Sequence, residues 1–197
     1  FYQLALRLGM ERLLSEVTKM SFRERTGIDL PGENTPVWPR NVEYFNQKYG
    51  SAWTQAQVLN LSIGQGDNTQ TVAGMARFYS ALANGGLAVR PEIVKGRLER
   101  DRLFTLTDAQ MRGLRDALAG VVSARGTAAS AGLRGAVLAG KTGTAQMGHL
   151  PDHSWFVGFA PADDPKILVS VLLENRTHGY EAARVATRAI ERYLKQA

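Results

Sequence analysis

The stretch Ala139 to Gln146, AGKTGTAQ, sets a lysine, a glycine and two threonine hydroxyls side by side, just after the apolar run AVLA. Two chemistries compete for it. Gly135 to Thr142 matches G-x-x-x-x-G-K-[ST] letter for letter, the pattern of a phosphate-binding loop. That loop needs a strand before it and a helix starting at the Lys-Thr, whose N-terminus holds the anion. Here the upstream segment, SARGTAASAGLR, is small and polar, and downstream Gly143, Gly148 and Pro151 oppose a helix. Nucleotide binding is therefore the remote alternative.

The second chemistry is that of a strand. Side chains alternate along a strand, so Thr142, Thr144 and Gln146 share one side and Lys141 and Gly143 the other. Two hydroxyls at i and i+2 suit a substrate carboxylate, and the charge of Lys141 strengthens such bonds. Gly143 lets an extended peptide or acyl group lie close to the backbone. A free N–H on an exposed edge can face a developing oxyanion. The residues thus describe a wall that grips a peptide and assists acyl transfer. An ordinary surface strand carrying a lysine remains open as the alternative.

The elements that must position this strand follow from periodicity. Residues 1 to 20 read as helical, with an interruption at Gly9. Thr26 to Asn41 reads as loop, and a short helical turn is expected near Thr54 to Leu59. A helix follows Thr71 as N-cap, with Val72, Met75, Ala76, Tyr79, Leu82 and Ala83 as its apolar face and Gly85-Gly86 as its stop. Thr107 with Gln110 forms a capping-box pattern that starts another helix, whose apolar face is Met111, Leu114, Leu118, Val121 and Val122. AVLAGKTGTAQ, SWFVGFAP and KILVSVLLE then read as three strands of an antiparallel meander, with Gly148 and Pro151 in the first turn and PADDP in the second. A last helix, Tyr180 to Lys195, turns Ala182, Ala186, Ala189, Ile190 and Tyr193 inward and carries Arg184, Arg188 and Arg192 on a solvated face. The predicted class is α+β, an antiparallel sheet flanked by helices.

The bulk properties bound the function. The 197 residues suit one domain, and 44% hydrophobic with 21% charged residues supports a packed core. A net charge of +6 favours anionic partners. No basic run with interleaved aromatics points to nucleic acid. The absence of cysteine excludes disulfides, thiolate metal sites and a cysteine nucleophile. The longest apolar run, Ile167 to Leu173, falls far short of the roughly 20 residues of a membrane helix. The chain opens on FYQLALRL without a methionine, and reads as a piece of a longer polypeptide.

Three other features draw attention. His149 and His153 are four apart, but Pro151 between them breaks the helix that would unite them, and no metal is expected. Gly64-Gln65-Gly66 lacks the third glycine of a dinucleotide fingerprint and reads as a tight turn before the next helix. Trp155 and Phe156 are expected in the strand core.

Lys-Thr-Gly-Thr on a strand resembles the third motif of penicillin-binding proteins and their β-lactamase relatives. The collinear segments TGIDLPGE (Thr26 to Glu33), LNLSIGQG (Leu59 to Gly66), ALANGG (Ala81 to Gly86), RP-x-IV (Arg90 to Val94), RGTA (Arg125 to Ala128), AGKTGTAQ and DHSWFVGFAP (Asp152 to Pro161) are similar to class B, monofunctional penicillin-binding proteins, most of all the elongation type. The chain departs from the family at Val72, where proline is common, and at Glu174 to Gly179, where glycines are.

The resemblance implies a penicillin-binding protein transpeptidase fold and a peptidoglycan D,D-transpeptidase working through a serine acyl-enzyme, without cofactor. Lys141, Thr142, Gly143 and Thr144 would bind substrate. The Thr144 backbone N–H would serve the oxyanion, Gln146 would line the site, and His153 would border it. No serine here is followed by lysine at the third position or by asparagine at the second, so the Ser-x-x-Lys and Ser-x-Asn motifs are expected upstream. Residues 1–197 would be the C-terminal part of one transpeptidase domain, inactive and unstable alone. Stem peptides, β-lactams, the upstream segment and a membrane glycan polymerase of the elongation machinery are the implied partners, and nucleic acid is not. The implied place is the outer side of the cytoplasmic membrane, held by an N-terminal anchor. A non-catalytic peptidoglycan or β-lactam sensor, or a scaffold of the same fold, is the alternative.

Overall fold

The computed structural model describes residues 1–96, 98–176 and 178–196. Its first part is helical. The predicted opening helix is two, α1 (Tyr2–Leu8) and α2 (Met10–Thr18), separated at Gly9 with φ +79°. Two short helices follow, α3 (Val42–Tyr49) and α4 (Ala56–Ser62). The sequence reading missed α3, although Asn41 caps it by accepting the Tyr44 N–H. These helices share a small core of Leu14, Trp38, Phe45 and Leu61, and the Trp38 indole donates to the Leu14 carbonyl at 3.2 Å. The intervening loop is closed by Glu33, whose carboxylate accepts from the Thr26 N–H, the Thr26 hydroxyl and the Gly27 N–H. That explains why TGIDLPGE holds a fixed shape without regular structure.

The two helices with clear capping signals form as expected. α5 (Val72–Ala83) starts at Thr71, whose side chain accepts the Gly74 N–H, and α6 (Asp108–Val122) begins with a complete capping box between Thr107 and Gln110. Their single apolar faces need correction. Val72 and Leu114 are exposed, while Arg77, Ser80 and Ala81 of α5 are buried. α5 is covered from several sides at once: Phe78 packs edge-on to Phe22, and Ser80 accepts the Val89 N–H. Between these helices lies an unexpected two-stranded ribbon, β1 (Leu87–Val89) and β2 (Arg100–Arg102). Both strands are too short to show a period.

The final third is the predicted meander: β3 (Ala139–Met147), β4 (Leu150–Ala160) and β5 (Ile167–Leu173), antiparallel in the order β3-β4-β5. Pro151 belongs to β4 rather than to the turn. It is tolerated because β5 pairs only from Ser154 onward and the β3 register shifts between Ala145 and Met147.

α7 (Gly179–Leu194) covers one face of the sheet, packing Ala182, Ala183, Ala186 and Ile190 on Phe156 and Ala160. Ala189 and Tyr193, expected inward, are exposed, and Ala183 and Thr187 take their place. On the other face α5 and α6 place Leu82, Ala83, Leu118 and Ala119 against Ala139, Phe159 and Leu168. The Arg184, Arg188 and Arg192 stripe is solvated as predicted. Among the described residues, no helix is long and apolar enough to cross a membrane.

Candidate active site

Lys141 and Thr142 lie in the middle of β3, with the strand running on for five residues to Met147. No helix begins there, which overturns the phosphate-loop alternative, since that chemistry needs the N–H groups of a helix start.

Pairing of β3 with β4 sets which groups are free. Thr142 stands opposite Phe156, Gly143 opposite Trp155 and Thr144 opposite Ser154. Opposed residues share a face, so Thr142 and Thr144 lie on the α7 side and Lys141 and Gly143 on the other, as alternation predicts. Gln146 stands at the register shift, where it alone on β3 faces two residues of β4, Pro151 and Asp152, so the extra residue is on β4.

The other edge of β3 has no strand partner among the described residues. Val137 accepts the Ala162 N–H at 2.8 Å, which fixes the parity: odd residues of this segment point their backbone groups toward β4. Gly140, Thr142 and Thr144 therefore present theirs outward, and a residue's N–H and C=O point the same way in a ladder. Two contacts agree with this. The Lys141 ammonium donates to the Thr142 carbonyl at 2.7 Å, and the Gln65 amide donates to the Thr144 carbonyl at 2.9 Å.

Electrostatics around the edge are positive. Protein crowding around the Lys141 ammonium pushes its pKa below the ordinary lysine value. The first residue of α7 adds a helix N-terminus: a Cβ placed on Gly179 would lie 2.8 Å from the Gly143 carbonyl and 3.0 Å from the Thr142 Cβ. Only glycine permits that approach. Ser154, fully buried, locks it in place by donating to the His178 carbonyl at 2.6 Å and accepting the Ala182 N–H at 3.2 Å. Gly143 is less tightly constrained: a Cβ there would lie 3.1 Å from that of Trp155, which would have to give by a few tenths of an ångström.

Two side chains reach the strand that sequence reasoning did not place there. Thr127, of the RGTA segment, shares a hydrogen bond of 3.2 Å between its hydroxyl and that of Thr142. Gln65 arrives from the tight turn Gly64-Gln65-Gly66 that precedes α5. Both follow a glycine, and no periodicity links Gln65 to a residue 79 positions away or Thr127 to one 15 positions away. His153 pairs with Ala145 and accepts the Asn175 N–H through Nδ1 at 3.1 Å, while His149 is exposed in the hairpin turn. No cluster of three or more metal-ligating side chains exists among the described residues. Phe156 is buried as expected, whereas Trp155 is only half-buried, on the Gly143 side.

Comparison with known proteins adds to this geometry. The family model described as "Penicillin binding protein transpeptidase domain" matches residues 1–195. The chain is 31% identical over 223 residues to the peptidoglycan D,D-transpeptidase MrdA of Acinetobacter baumannii, an alignment covering 98% of this chain and 32% of that protein. Among solved structures, Pseudomonas aeruginosa PBP2 in complex with WCK 5153 aligns with a TM-score of 0.78 at 30% identity, over 94% of this chain and 43% of that one. The Helicobacter pylori PBP2 complex with MreC aligns with a TM-score of 0.82 at 26% identity, over 99% of this chain and 37% of that one. The chain thus spans about a third of the length of the curated relative.

Proposed function

The chain belongs to the penicillin-binding protein transpeptidase family across residues 1–195, and from that premise we propose that it is the C-terminal part of one serine D,D-transpeptidase domain of the elongation type. The observation that carries this reading is the unpaired edge of β3, with Thr142 and Thr144 directing their backbone groups outward beside the Lys141 ammonium.

In the proposed reaction, a serine of the segment preceding Phe1 attacks the carbonyl carbon between two terminal D-alanines of a stem peptide. The C–N bond breaks, the last D-alanine leaves with a proton, and an ester remains on the serine. An amine of a neighbouring stem peptide then attacks the ester. The cross-link forms, and the serine oxygen recovers its proton. Lys141 and the hydroxyls of Thr142 and Thr144 hold the substrate carboxylate. The Thr144 N–H faces the oxyanion. Gly143 lets the acyl chain lie against the strand, and Gln146 borders the site. β-Lactams acylate the same serine. The domain works on the outer side of the cytoplasmic membrane beside a glycan polymerase.

A fluorescent penicillin tests this, with intact masses read for the chain alone and for the chain with its native upstream segment. Labelling only in the second case, with the adduct mapped upstream, is the expected result. Labelling of the lone chain would place the nucleophile among its own serines. No labelling in either case would leave a non-catalytic relative of the same fold.

A further inference from the structure

We propose that Gln65 is a positioning residue of the β3 edge, standing in for the missing neighbour strand at Thr144; this rests on the acyl-transfer reading above. Thr144 is the last outward-pointing residue before the ladder shifts register between Ala145 and Met147. Its own N–H and C=O point away from β4, and only Ala145, opposite His153, still pairs with β4 before the shift. The 2.9 Å bond from the Gln65 amide to the Thr144 carbonyl supplies the missing restraint. The Thr144 carbonyl shares its peptide plane with the Ala145 N–H, so the bond fixes that plane. The Thr144 N–H lies in the preceding plane, and holding the residue on its C-terminal side limits how far its Cα, and with it that N–H, can swing.

The turn that presents Gln65 is built to hold it. Gly64 and Gly66 flank it with φ of +81° and +75°, a conformation that side chains resist. The Gln65 N–H donates to the Asn60 carbonyl at 2.9 Å, and the Asn68 amide reaches back to the Gly64 carbonyl at 3.3 Å. Asp67 then anchors the turn to α3, accepting from the Lys48 ammonium, from the Tyr49 hydroxyl at 2.8 Å and from the Tyr44 hydroxyl at 3.1 Å. Burial pushes the Asp67 carboxyl up, but the bonds from Lys48 and Tyr49 outweigh it, so its pKa lies below the ordinary aspartate value. The helical part of the chain is thereby coupled to the one strand residue whose N–H faces the reacting carbonyl.

Gln65→Glu keeps the shape and removes the donor, and Gln65→Ala removes both. In the full-length protein, hydrogen exchange of the peptide covering residues 139–147 is compared with penicillin acylation at saturation. Faster exchange there, with the saturating acylation rate lowered about tenfold in both variants and little change in the concentration for half-saturation, supports the proposal, the size being that of one lost hydrogen bond. Unchanged exchange in Gln65→Glu overturns it, as does faster exchange with wild-type acylation. An equal loss of affinity and no loss of rate also overturns it. If the wild-type protein is not acylated at all, the transpeptidase reading fails, and the exchange arm alone decides whether Gln65 holds the strand.

Discussion

At the residue scale, Lys141 carries the sharpest expectation. Crowding lowers its folded pKa, whereas the unfolded chain has the ordinary value of 10.5. Between the two, the unfolded chain binds more protons, so stability rises with pH through that window. Activity moves the opposite way. The proposed carboxylate contact needs the ammonium, so acylation by a carboxylate-bearing β-lactam falls as pH rises through the depressed value. A pH profile of the full-length protein is expected to show an alkaline limb below the ordinary lysine range. Lys141→Arg, whose guanidinium stays charged, is expected to lose that limb. A limb that persists in the arginine variant belongs to another group.

At the element scale, the contact between α7 and the sheet decides whether the strand keeps its shape. Ser154 is fully buried and satisfies both the His178 carbonyl and the Ala182 N–H at the start of α7. Ser154→Ala strands both groups in the interior, at a cost of about 1–3 kcal/mol. Urea unfolding of the full-length protein is expected to show a lower midpoint with the same slope, because the buried surface barely changes. The sequence displayed strand character around SWFVGFAP but gave no hint that its first residue is a helix anchor. A serine in a strand is by pattern an outward polar residue. Only the packing of α7 turns it inward.

At the scale of the whole molecule, the sheet is covered unevenly. α5 and α6 cover the Phe159 end of one face, while Trp155 and Leu172 toward the other end are only half-buried and the β3 edge stays open. On the proposed reading, the upstream segment covers this region. Co-expression of that segment with the chain is expected to raise the unfolding temperature and to suppress binding of a hydrophobic dye, as burial of apolar surface requires. A chain that is equally stable and dye-free without the segment would contradict the proposed domain boundary.

The sequence by itself determined the elements whose signals are local. The capping box at Thr107, the Thr71 cap, the three strand runs and the alternation that puts Lys141 and Gly143 opposite Thr142 and Thr144 all depend on neighbours a few residues apart. It also supplied the motif order on which the family resemblance rested, a resemblance the family match across residues 1–195 bears out. The tertiary structure alone decided what depends on distant contacts. It showed which edge of β3 is free and that β4 carries an extra residue opposite Gln146. It buried Arg77 and Ser80 in a helix crowded from several sides, and it brought Gln65 and Thr127 to the strand. The physical reason is range. Caps and periods are short-range properties of the backbone, whereas a hydrogen bond between residues 79 apart is set only by how the chain packs.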